Sequence, residues 1–513
     1  MRNLKLTKSV LVAASLAFAA SSATTADAAP RVATASTQEW SYWKSDSSAA
    51  DFAGCASEVA KVRDGAGASY LYRAPSHEAC ARGLSLAQNG PQEVVLFKQE
   101  AVQLDAGRVA VTGTWKERSL QVLSSISQEP MAEQSSGQMA FQFSTGSAPD
   151  TALKLISVHD SSLLVAVSDA QLATIDQHAT FDTRLHHLTF HPLSYLAPLN
   201  DDKKAEPTFK KPKYNTVIAK IASSSALSPA RIKKDLRILT GEDPQPSDIG
   251  TWHSRHSSTY GARLAAKWIK QQLEESLRGV NGSGCEFFEY SPYFAPNVVC
   301  RIPASDTSKK AGEEREVVVS AHYDSRGTFG STTAPGGDDD GSGTAALLAI
   351  ARAIGSSGFG FDSPIQLIAF SGEEQGLVGS QRYAAHLSSR STPVKLAVQM
   401  DMLAYRKPGE PLQIAFPDKF VTTTATKHLW EIAELYAPEL EQGYTPACCS
   451  DHQSFWEQGF PATWVFERNG PIADPMYHNS GDVTEREGYD VEQLRSIAKV
   501  VVAALLDVAG FDM

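Results

Sequence analysis

Residues 214–513 are predicted to fold as an α/β domain of three layers, with a mostly parallel central sheet between layers of helices. Short apolar runs of strand length alternate in this region with longer segments whose apolar residues recur at helical spacing. This alternation is typical of strands joined by crossover helices, an arrangement that makes neighbouring strands parallel. A charged, proline-containing stretch at 201–213 has the composition of a linker, and a smaller mixed α/β domain is predicted before it.

The composition is that of a globular protein, and its charge restricts the possible partners. The chain has 513 residues, of which 42% are hydrophobic, and a formal net charge of −11. An acidic balance argues against a nucleic-acid-binding protein, because phosphate binding requires a basic surface. Small molecules or peptides are therefore the expected partners, and the sequence leaves the oligomeric state open.

Residues 1–28 have the pattern of a cleaved export signal. Arg2, Lys5 and Lys8 form a basic start, an apolar run follows at 10–20, and the sequence at 26–28 is Ala-Asp-Ala, as at signal-peptidase sites. The apolar run is short for a membrane span, and no later stretch is apolar for long enough to cross a bilayer. We therefore expect a periplasmic or secreted protein with no membrane attachment after cleavage.

Residues 29–200 are predicted to form an accessory domain or a removable pro-domain. Alternating apolar residues predict short strands at 93–97, 108–114 and 163–167. The segment 184–191 contains three histidines, but their spacing fits no common metal site, and a solvated or hydrogen-bonded strand is predicted there. No catalytic constellation is apparent in this region. Deletion up to about residue 200 is accordingly expected to leave a folded, active protein.

The six cysteines fall into three local pairs. In an exported protein disulfides persist, and pairing within each local segment is the simplest of the possible connectivities. A bond between adjacent cysteines at 448 and 449 would stiffen the loop before 450–452, and thiol catalysis is the alternative use of these residues. The expected pairs are Cys55 with Cys80, Cys285 with Cys300, and Cys448 with Cys449.

The elements of the second region follow from the same periodicity. Strands are predicted at 317–321, 365–370, 394–400, 412–416 and 463–466, and helices at 232–239, 264–273, 344–354, 378–386, 425–436 and 491–508.

Polar residues follow three of these strands. His322 and Asp324 follow the first, Glu373 and Glu374 the second, and Asp401 the third. In open α/β sheets sites form at the carboxyl ends of strands, so these side chains are expected to meet. A run of three aspartates at 338–340 and a histidine at 478 add to the set. So many carboxylates would repel one another unless cations neutralised them, which predicts a divalent metal site, and a binuclear one is the economical form.

Six motifs in this region resemble those of zinc aminopeptidases of peptidase family M28, including bacterial leucyl aminopeptidases. They spread over most of residues 214–513 in the family's order, and nothing comparable covers the earlier region. The resemblance implies the zinc-peptidase fold. The motifs are His322-Tyr-Asp-Ser325, the run at 334–343, the run at 372–380, Gln399-Met-Asp-Met402, Ser450-Asp-His452 and Tyr477-His478.

The resemblance implies two Zn²⁺ ions and a set of five ligands. Asp339, the middle aspartate of its run, would bridge the ions. One ion would be bound by His322 and Glu374 and the other by Asp401 and His478, or, as is usual in the family, His322 would share its ion with Asp401 and Glu374 with His478. Asp324 would accept the second ring N–H of His322.

The resemblance also implies the catalytic groups. Glu373 would act as general base towards a metal-activated water, while the adjacent Glu374 faces the metal. Tyr477 resembles a tyrosine that donates to the developing oxyanion in some members. Other members carry this tyrosine where this sequence has Ala447, with Tyr444 nearby.

The side-chain pocket implied by the family would be lined by Met402, Trp464, Phe466 and Ile472, which favours an apolar N-terminal residue; Arg468 is a candidate for binding a substrate carboxylate. Together these residues predict an exported dizinc aminopeptidase. The alternatives are a carboxypeptidase of the same family, a glutaminyl cyclase-like transferase with one zinc, and a receptor-like protein with an inactive peptidase domain.

Overall fold

A computed structural model describes residues 40–45, 57–64, 67–75, 93–100, 102–103, 113–126, 153–158, 160–188, 207–305 and 315–512. The predicted signal at 1–28, the Cys55–Cys80 pair and the first part of the linker lie outside these residues. Among the helices that are described, none combines the length and the apolar character needed to cross a bilayer.

The region before residue 207 is mainly antiparallel sheet. Strands β5, β6, β4 and β7 lie in that order in one sheet, and β1, β3 and β2 form another. The strands predicted at 93–97 and 163–167 are present as β4 and β6. The elements are β1 (Trp40–Ser45), β2 (Ser57–Asp64), β3 (Gly67–Pro75), β4 (Glu93–Gln99), α1 (Trp115–Ile126), β5 (Lys154–Val158), β6 (Ser162–Val167), α2 (Asp169–Leu172), a 3₁₀ turn at Ile175–His178 and β7 (Thr183–Leu188).

The region after residue 207 alternates helices and strands, as predicted. Its elements are α3 (Thr216–Ala222), a 3₁₀ turn at Ser225–Leu227, α4 (Pro229–Leu239), α5 (Tyr260–Leu277), β8 (Gly284–Phe288), β9 (Asn297–Ile302), β10 (Glu316–His322), α6 (Gly341–Gly355), β11 (Gly360–Phe361), β12 (Ile365–Phe370), α7 (Val378–Ser389), β13 (Val394–Met400), β14 (Gln413–Pro417), α8 (Thr423–Tyr436), β15 (Glu441–Thr445), α9 (His452–Glu457), β16 (Ala462–Val465), α10 (Val491–Ala509) and β17 (Phe511–Asp512).

The central sheet is mixed, with four of its six strands parallel and an antiparallel pair at one edge. Its order is β16-β13-β10-β12-β9-β8, and the first four strands are parallel. Strands β9 and β8 are antiparallel and form an edge hairpin in which Cys285 and Cys300 are paired in register, with their sulfur atoms bonded. The strand predicted at 412–416 is present as β14, but it pairs with β15 in a separate two-stranded sheet.

Helices cover both faces of this sheet. Alternate residues of each strand point to opposite faces, so one strand contributes side chains to two cores. Val317 and Val319 of β10 belong to the large core that contains α5, α6 and α10. Val318 belongs to a second core, formed with α7 and α9. Residues 341–354 of α6 are all buried, and most of them are apolar or small, as expected of a helix that is enclosed on every side.

The region before residue 207 shares a core with the rest of the chain. Val95, Phe97 and Trp115 pack in one cluster with Phe294 and Val378, which lie beyond the predicted linker. Deletion up to about residue 200 would expose these two side chains to water, since their packing partners would be removed. This shared packing is an argument against the prediction that such a deletion leaves a folded and active protein.

The two parts also meet backbone to backbone at Gly376. The N–H of His187, in β7, donates to the oxygen of Gly376 over 3.0 Å. Gly376 has a φ of +113°, and a Cβ at this position would collide with the backbone nitrogen of His187. Only glycine therefore permits both the conformation and the close approach.

Replacing Gly376 by alanine is expected to separate β7 from the second region. Gly358→Ala is the matched control, because Gly358 also has a positive φ, +71°, but nothing lies within 4 Å of its would-be Cβ. The control measures the cost of the left-handed conformation alone, about 1–2 kcal/mol. Gly376→Ala should destabilise by about 1–3 kcal/mol more, through overpacking. Equal midpoints of thermal unfolding for the two variants would contradict this close approach.

Candidate metal centre and active site

The polar residues predicted at the strand ends do meet at one edge of the sheet. Strand β10 ends at His322, which lies beside Phe370 at the end of β12, and β13 ends one residue before Asp401. The short Ser371-Gly372 turn then carries Glu373 and Glu374 over the same edge. Parallel strands bring their carboxyl ends together, so this meeting is a direct result of the topology.

One candidate ligand group contains His322, Asp401 and Asp339. The Nε2 atom of His322 lies 3.3 Å from Asp339 Oδ1 and 3.5 Å from Asp401 Oδ1. His322 is fully buried, and its Nε2 has no hydrogen-bond partner among the residues that the structure describes. A buried ring nitrogen facing two carboxylates without a partner of its own fits a metal ligand.

The second candidate group contains His478, Glu374 and again Asp339. The Nε2 atom of His478 lies 3.3 Å from Glu374 Oε2 and 3.5 Å from Asp339 Oδ2. The two oxygens of Asp339 thus face different histidines, which is the placement that a bridging carboxylate needs. The geometry groups His322 with Asp401 and Glu374 with His478, which corresponds to the second of the two predicted partitions.

The side chains of the two flanking aspartates, Asp338 and Asp340, accept hydrogen bonds from backbone N–H groups. Asp340 also lies close to His322 and Asp401. Its Oδ1, however, accepts the N–H groups of Gly343 and Met402, and its Oδ2 accepts that of His322, so Asp340 caps α6. Asp338 likewise accepts the N–H of Ala404. Only the middle aspartate is left facing both histidines.

The buried carboxylates of the site carry more negative charge than the positively charged side chains around them balance. Burial, together with the carboxylates of Asp339 and Glu373, holds the pKa of Glu374 well above its usual range. Burial acts to lower the pKa of His322, but Asp401 and Glu373 raise it well above the ordinary value. Bound divalent cations would relieve this repulsion, and the imidazole and carboxylate donors are those that zinc prefers.

In both His322 and His478, the ring nitrogen that does not face the carboxylates is Nδ1, and its nearest acceptor is a backbone oxygen. Nδ1 of His322 lies 3.2 Å from the backbone oxygen of Asp324 and 3.6 Å from its carboxylate. The Asp324 carboxylate instead accepts the N–H groups of Glu373 and Glu374, each over 3.3 Å. The predicted contact between His322 and Asp324 is therefore present, but chiefly through the main chain.

The outer nitrogen of His478 contacts the N-terminal region. Its Nδ1 lies 3.1 Å from the oxygen of Phe181 and 3.0 Å from Nη1 of Arg326. Metal binding through Nε2 requires the proton on Nδ1, and in that tautomer Phe181 is the acceptor. Arg326 in turn donates to the oxygens of Thr180 and Thr183, which holds this loop in place.

Glu373 is buried beside the two ligand groups and belongs to neither. Its Oε1 forms an ion pair with Arg184 of β7. Burial raises the pKa of Glu373 to about 8, against the lowering effect of Arg184 and His322. Arg184 could not be predicted as a site residue from the sequence, because no motif distinguishes it from the other polar residues of an alternating strand.

The four predicted pocket residues lie together in one small cavity next to the ligand groups. Met402, Trp464, Phe466 and Ile472 form a single apolar cluster, and they line the cavity with Glu100 and Arg184 from the N-terminal region. The bonded pair Cys448–Cys449 and the backbone around Ala447 close another side. The free space is about 10 Å³, close to the minimum that a single water molecule needs.

Tyr477 also lines the cavity, but its hydroxyl group is engaged. It donates to Oε2 of Glu100 over 3.2 Å, and its ring stacks on His478. Tyr444 is 61% exposed and stacks on Trp430. The hydroxyl of Tyr477 is therefore not free for an oxyanion in this conformation.

Arg468, the predicted candidate for a substrate carboxylate, already has a partner. Its Nη2 lies 2.8 Å from Oε1 of Glu410, and Nε contacts the same carboxylate. Arg184 is thus the arginine that the structure brings to the cavity.

Comparison with known proteins gives consistent results. Residues 297–505 match the sequence profile described as Peptidase family M28. The chain is 25% identical to Leucine aminopeptidase 1 of Phaeosphaeria nodorum over 369 residues, which cover 67% of this chain and 88% of that protein. It is 30% identical to Leucine aminopeptidase 1 of Leptosphaeria maculans over 257 residues, 47% of this chain and 63% of that one.

Two solved structures share the fold. The LapA aminopeptidase of Legionella pneumophila superposes with a TM-score of 0.58 at 20% identity, covering 82% of this chain and 98% of that one. LapB of the same organism gives 0.56 at 20% identity and covers 82% and 100%. A share of 82% exceeds what residues 207–512 contain, so the likeness extends into the N-terminal region.

Substitution of single ligands should remove bound zinc in steps. We expect His322→Ala and His478→Ala each to lower the zinc content by about one ion per chain, because each removes one histidine group. Asp339→Ala should remove more, since its two oxygens serve both groups. Asp418→Asn, at a half-exposed carboxylate outside the site, is the control. Elemental analysis after dialysis measures the content, and retention of all zinc by Asp339→Ala would contradict the bridging position.

Proposed function

We propose that this chain, whose residues 297–505 match peptidase family M28, is a metallo-aminopeptidase that works with two zinc ions sharing Asp339. The observation that carries this proposal is the placement of Asp339 between His322 and His478, with one oxygen towards each. The orphaned Nε2 of His322 and Oε1 of Glu374 support it further. Bound zinc would supply Lewis-acid polarisation of the scissile carbonyl and an acidified water.

Glu373 is the general base of this proposal. It is buried at the edge of both ligand groups, while its neighbour Glu374 is committed to His478. Arg184 occupies Oε1, so Oε2 is the oxygen assigned to take the proton from the attacking water. The same atom then returns that proton to the leaving amine.

The substrate class is peptides with a free N-terminus. The walls formed by Met402, Trp464, Phe466 and Ile472 favour an apolar side chain or the apolar stem of a longer one. Entry of any side chain requires some lining group to move, because the cavity holds only about one water molecule.

Export to the periplasm or the medium is part of the proposal. The signal pattern at 1–28 motivates it, and the bonded sulfur atoms of Cys285–Cys300 and Cys448–Cys449 support it, because disulfides persist in oxidising compartments.

The second candidate is carboxypeptidase activity, and Arg184 is the observation that favours it. A guanidinium group in the cavity is suited to binding the carboxylate at the end of a peptide. Its pairing with Glu373 argues against this use, since the binding of a carboxylate would compete with the base.

Glu373→Ala should separate catalysis from metal binding. The variant is expected to retain its zinc and to lose about 100-fold or more of its activity towards a leucine chromogenic amide, because a general base contributes about 10²–10⁴-fold. Glu374→Ala is the comparison, as it should lose both activity and zinc. Full activity of Glu373→Ala with zinc bound would exclude Glu373 as the base.

A pair of peptides distinguishes the two candidate activities. We expect a leucyl peptide with a free amino group to be cleaved and its N-acetylated form to resist, when products are followed by chromatography. Release of the C-terminal residue from the acetylated peptide, together with a higher KM in Arg184→Ala, would instead establish the carboxypeptidase.

A further inference from the structure

The N-terminal region places a carboxylate in the substrate cavity. Glu100 follows β4, and its side chain lines the cavity although it lies more than 200 residues before His322, the first candidate metal ligand in the chain. Its backbone N–H donates to Asp182, and nearby Val102 forms a β-bridge with Ile472. Gln103 donates to the oxygen of Ile472 over 2.8 Å. The segment is therefore fixed against the cavity wall.

Among the described residues, only neutral groups donate hydrogen bonds to the Glu100 carboxylate. Oε1 accepts the N–H of Cys448 over 3.3 Å, and Oε2 accepts the hydroxyl of Tyr477 over 3.2 Å. Within the part of the chain that is described, no Lys or Arg nitrogen forms an ion pair with it. Arg184 is nearby and also lines the cavity, but its ion pair is with Glu373.

Two neutral donors are few for a buried carboxylate. An ionised carboxylate offers about four acceptor positions, and Glu100 is only 9% exposed. Burial raises the pKa of Glu100, although Arg184 acts to lower it. Such a group destabilises the fold unless something compensates it. Its position in the cavity suggests that the compensation comes from what binds there.

We propose that Glu100 binds a positively charged nitrogen of the substrate's N-terminal residue. The inference rests on the proposed aminopeptidase function and adds to that function the substrate group that the site recognises. Two nitrogens have this chemistry: the α-ammonium group of every free N-terminus, and the side chain of an N-terminal Lys or Arg. The apolar walls suit either, because a lysine stem packs its methylene groups against such surfaces.

The competing role for Glu100 is purely structural, as an acceptor that holds Tyr477 and Cys448. Glu100→Gln distinguishes the two roles, because the amide keeps the shape and the hydrogen bonds. Its oxygen can accept from the Cys448 N–H, and its NH₂ can donate to the Tyr477 oxygen. Only the negative charge is lost.

The experiment compares the zinc-loaded wild type with Glu100→Gln on the p-nitroanilides of leucine and lysine. Asp160→Asn is the matched control, since it removes a carboxylate of the same region whose side chain is 96% exposed. We expect kcat/KM to fall at least about 10-fold in Glu100→Gln, mainly through KM, because a buried ionic contact is lost. An equal fall on both substrates assigns the α-ammonium group, and a fall on lysine alone assigns the side chain.

A change of less than about 3-fold on both substrates, or a rise on both, would overturn the proposal and leave the structural role. Titration calorimetry with L-leucinamide and L-lysinamide gives a readout that does not depend on turnover. Weaker binding of the amides by Glu100→Gln supports the proposal, whether or not the wild type hydrolyses the anilides. Failure of the wild type to hydrolyse either anilide would count only against the aminopeptidase function. Unchanged binding of both amides would contradict the recognition role.

Discussion

The neutralisation of buried negative charge is the constraint on which this structure depends. Asp339, Glu373, Glu374 and Asp401 all lie at one edge of the sheet with little exposure to water. Without cations their mutual repulsion would oppose folding, so the same feature that predicts a metal centre also makes that centre part of the fold. Asp339 is central because each of its oxygens faces a different histidine.

A layer of hydrogen bonds behind the site keeps Asp339 in that position. The carboxylate of Asp482 accepts the N–H groups of Asp338 and Asp339, each over 3.0 Å. Arg486 pairs with Asp482 and with Asp474, which fixes the acceptor. Burial raises the pKa of Asp482 to about 7, and Arg486 acts to lower it. The side chains of the flanking aspartates accept hydrogen bonds from backbone N–H groups, and the middle one faces both histidines.

The N-terminal region contributes to the active site as well as to the core. Through the oxygen of Phe181 it contacts Nδ1 of His478, through Arg184 it contacts Glu373, and through Glu100 it lines the cavity. The shared cluster around Phe294 and Val378 holds these groups in register with the second region. A domain predicted to be removable is in this structure a source of charged and hydrogen-bonding groups for the site.

The sequence by itself determined the parts of the molecule that depend on local pattern. The parallel strands, the polar residues at their ends and the apolar residues 402, 464, 466 and 472 could all be predicted, because periodicity fixes strands and topology brings their ends together. The sequence could not assign the flanking aspartates to backbone N–H groups, nor the hydroxyl of Tyr477 to Glu100. Those outcomes depend on which donors lie nearby after folding.

Only the tertiary structure decided how distant segments combine. Glu100 and Arg184 carry no motif, since a single charged residue in an alternating strand looks like any solvated one, and Phe181 acts through a backbone atom that every residue has. The edge hairpin of β8 and β9 and the separate pairing of β14 with β15 were likewise set by contacts across the chain. These contacts depend on packing between segments that are far apart in the sequence, and local sequence patterns do not encode such packing.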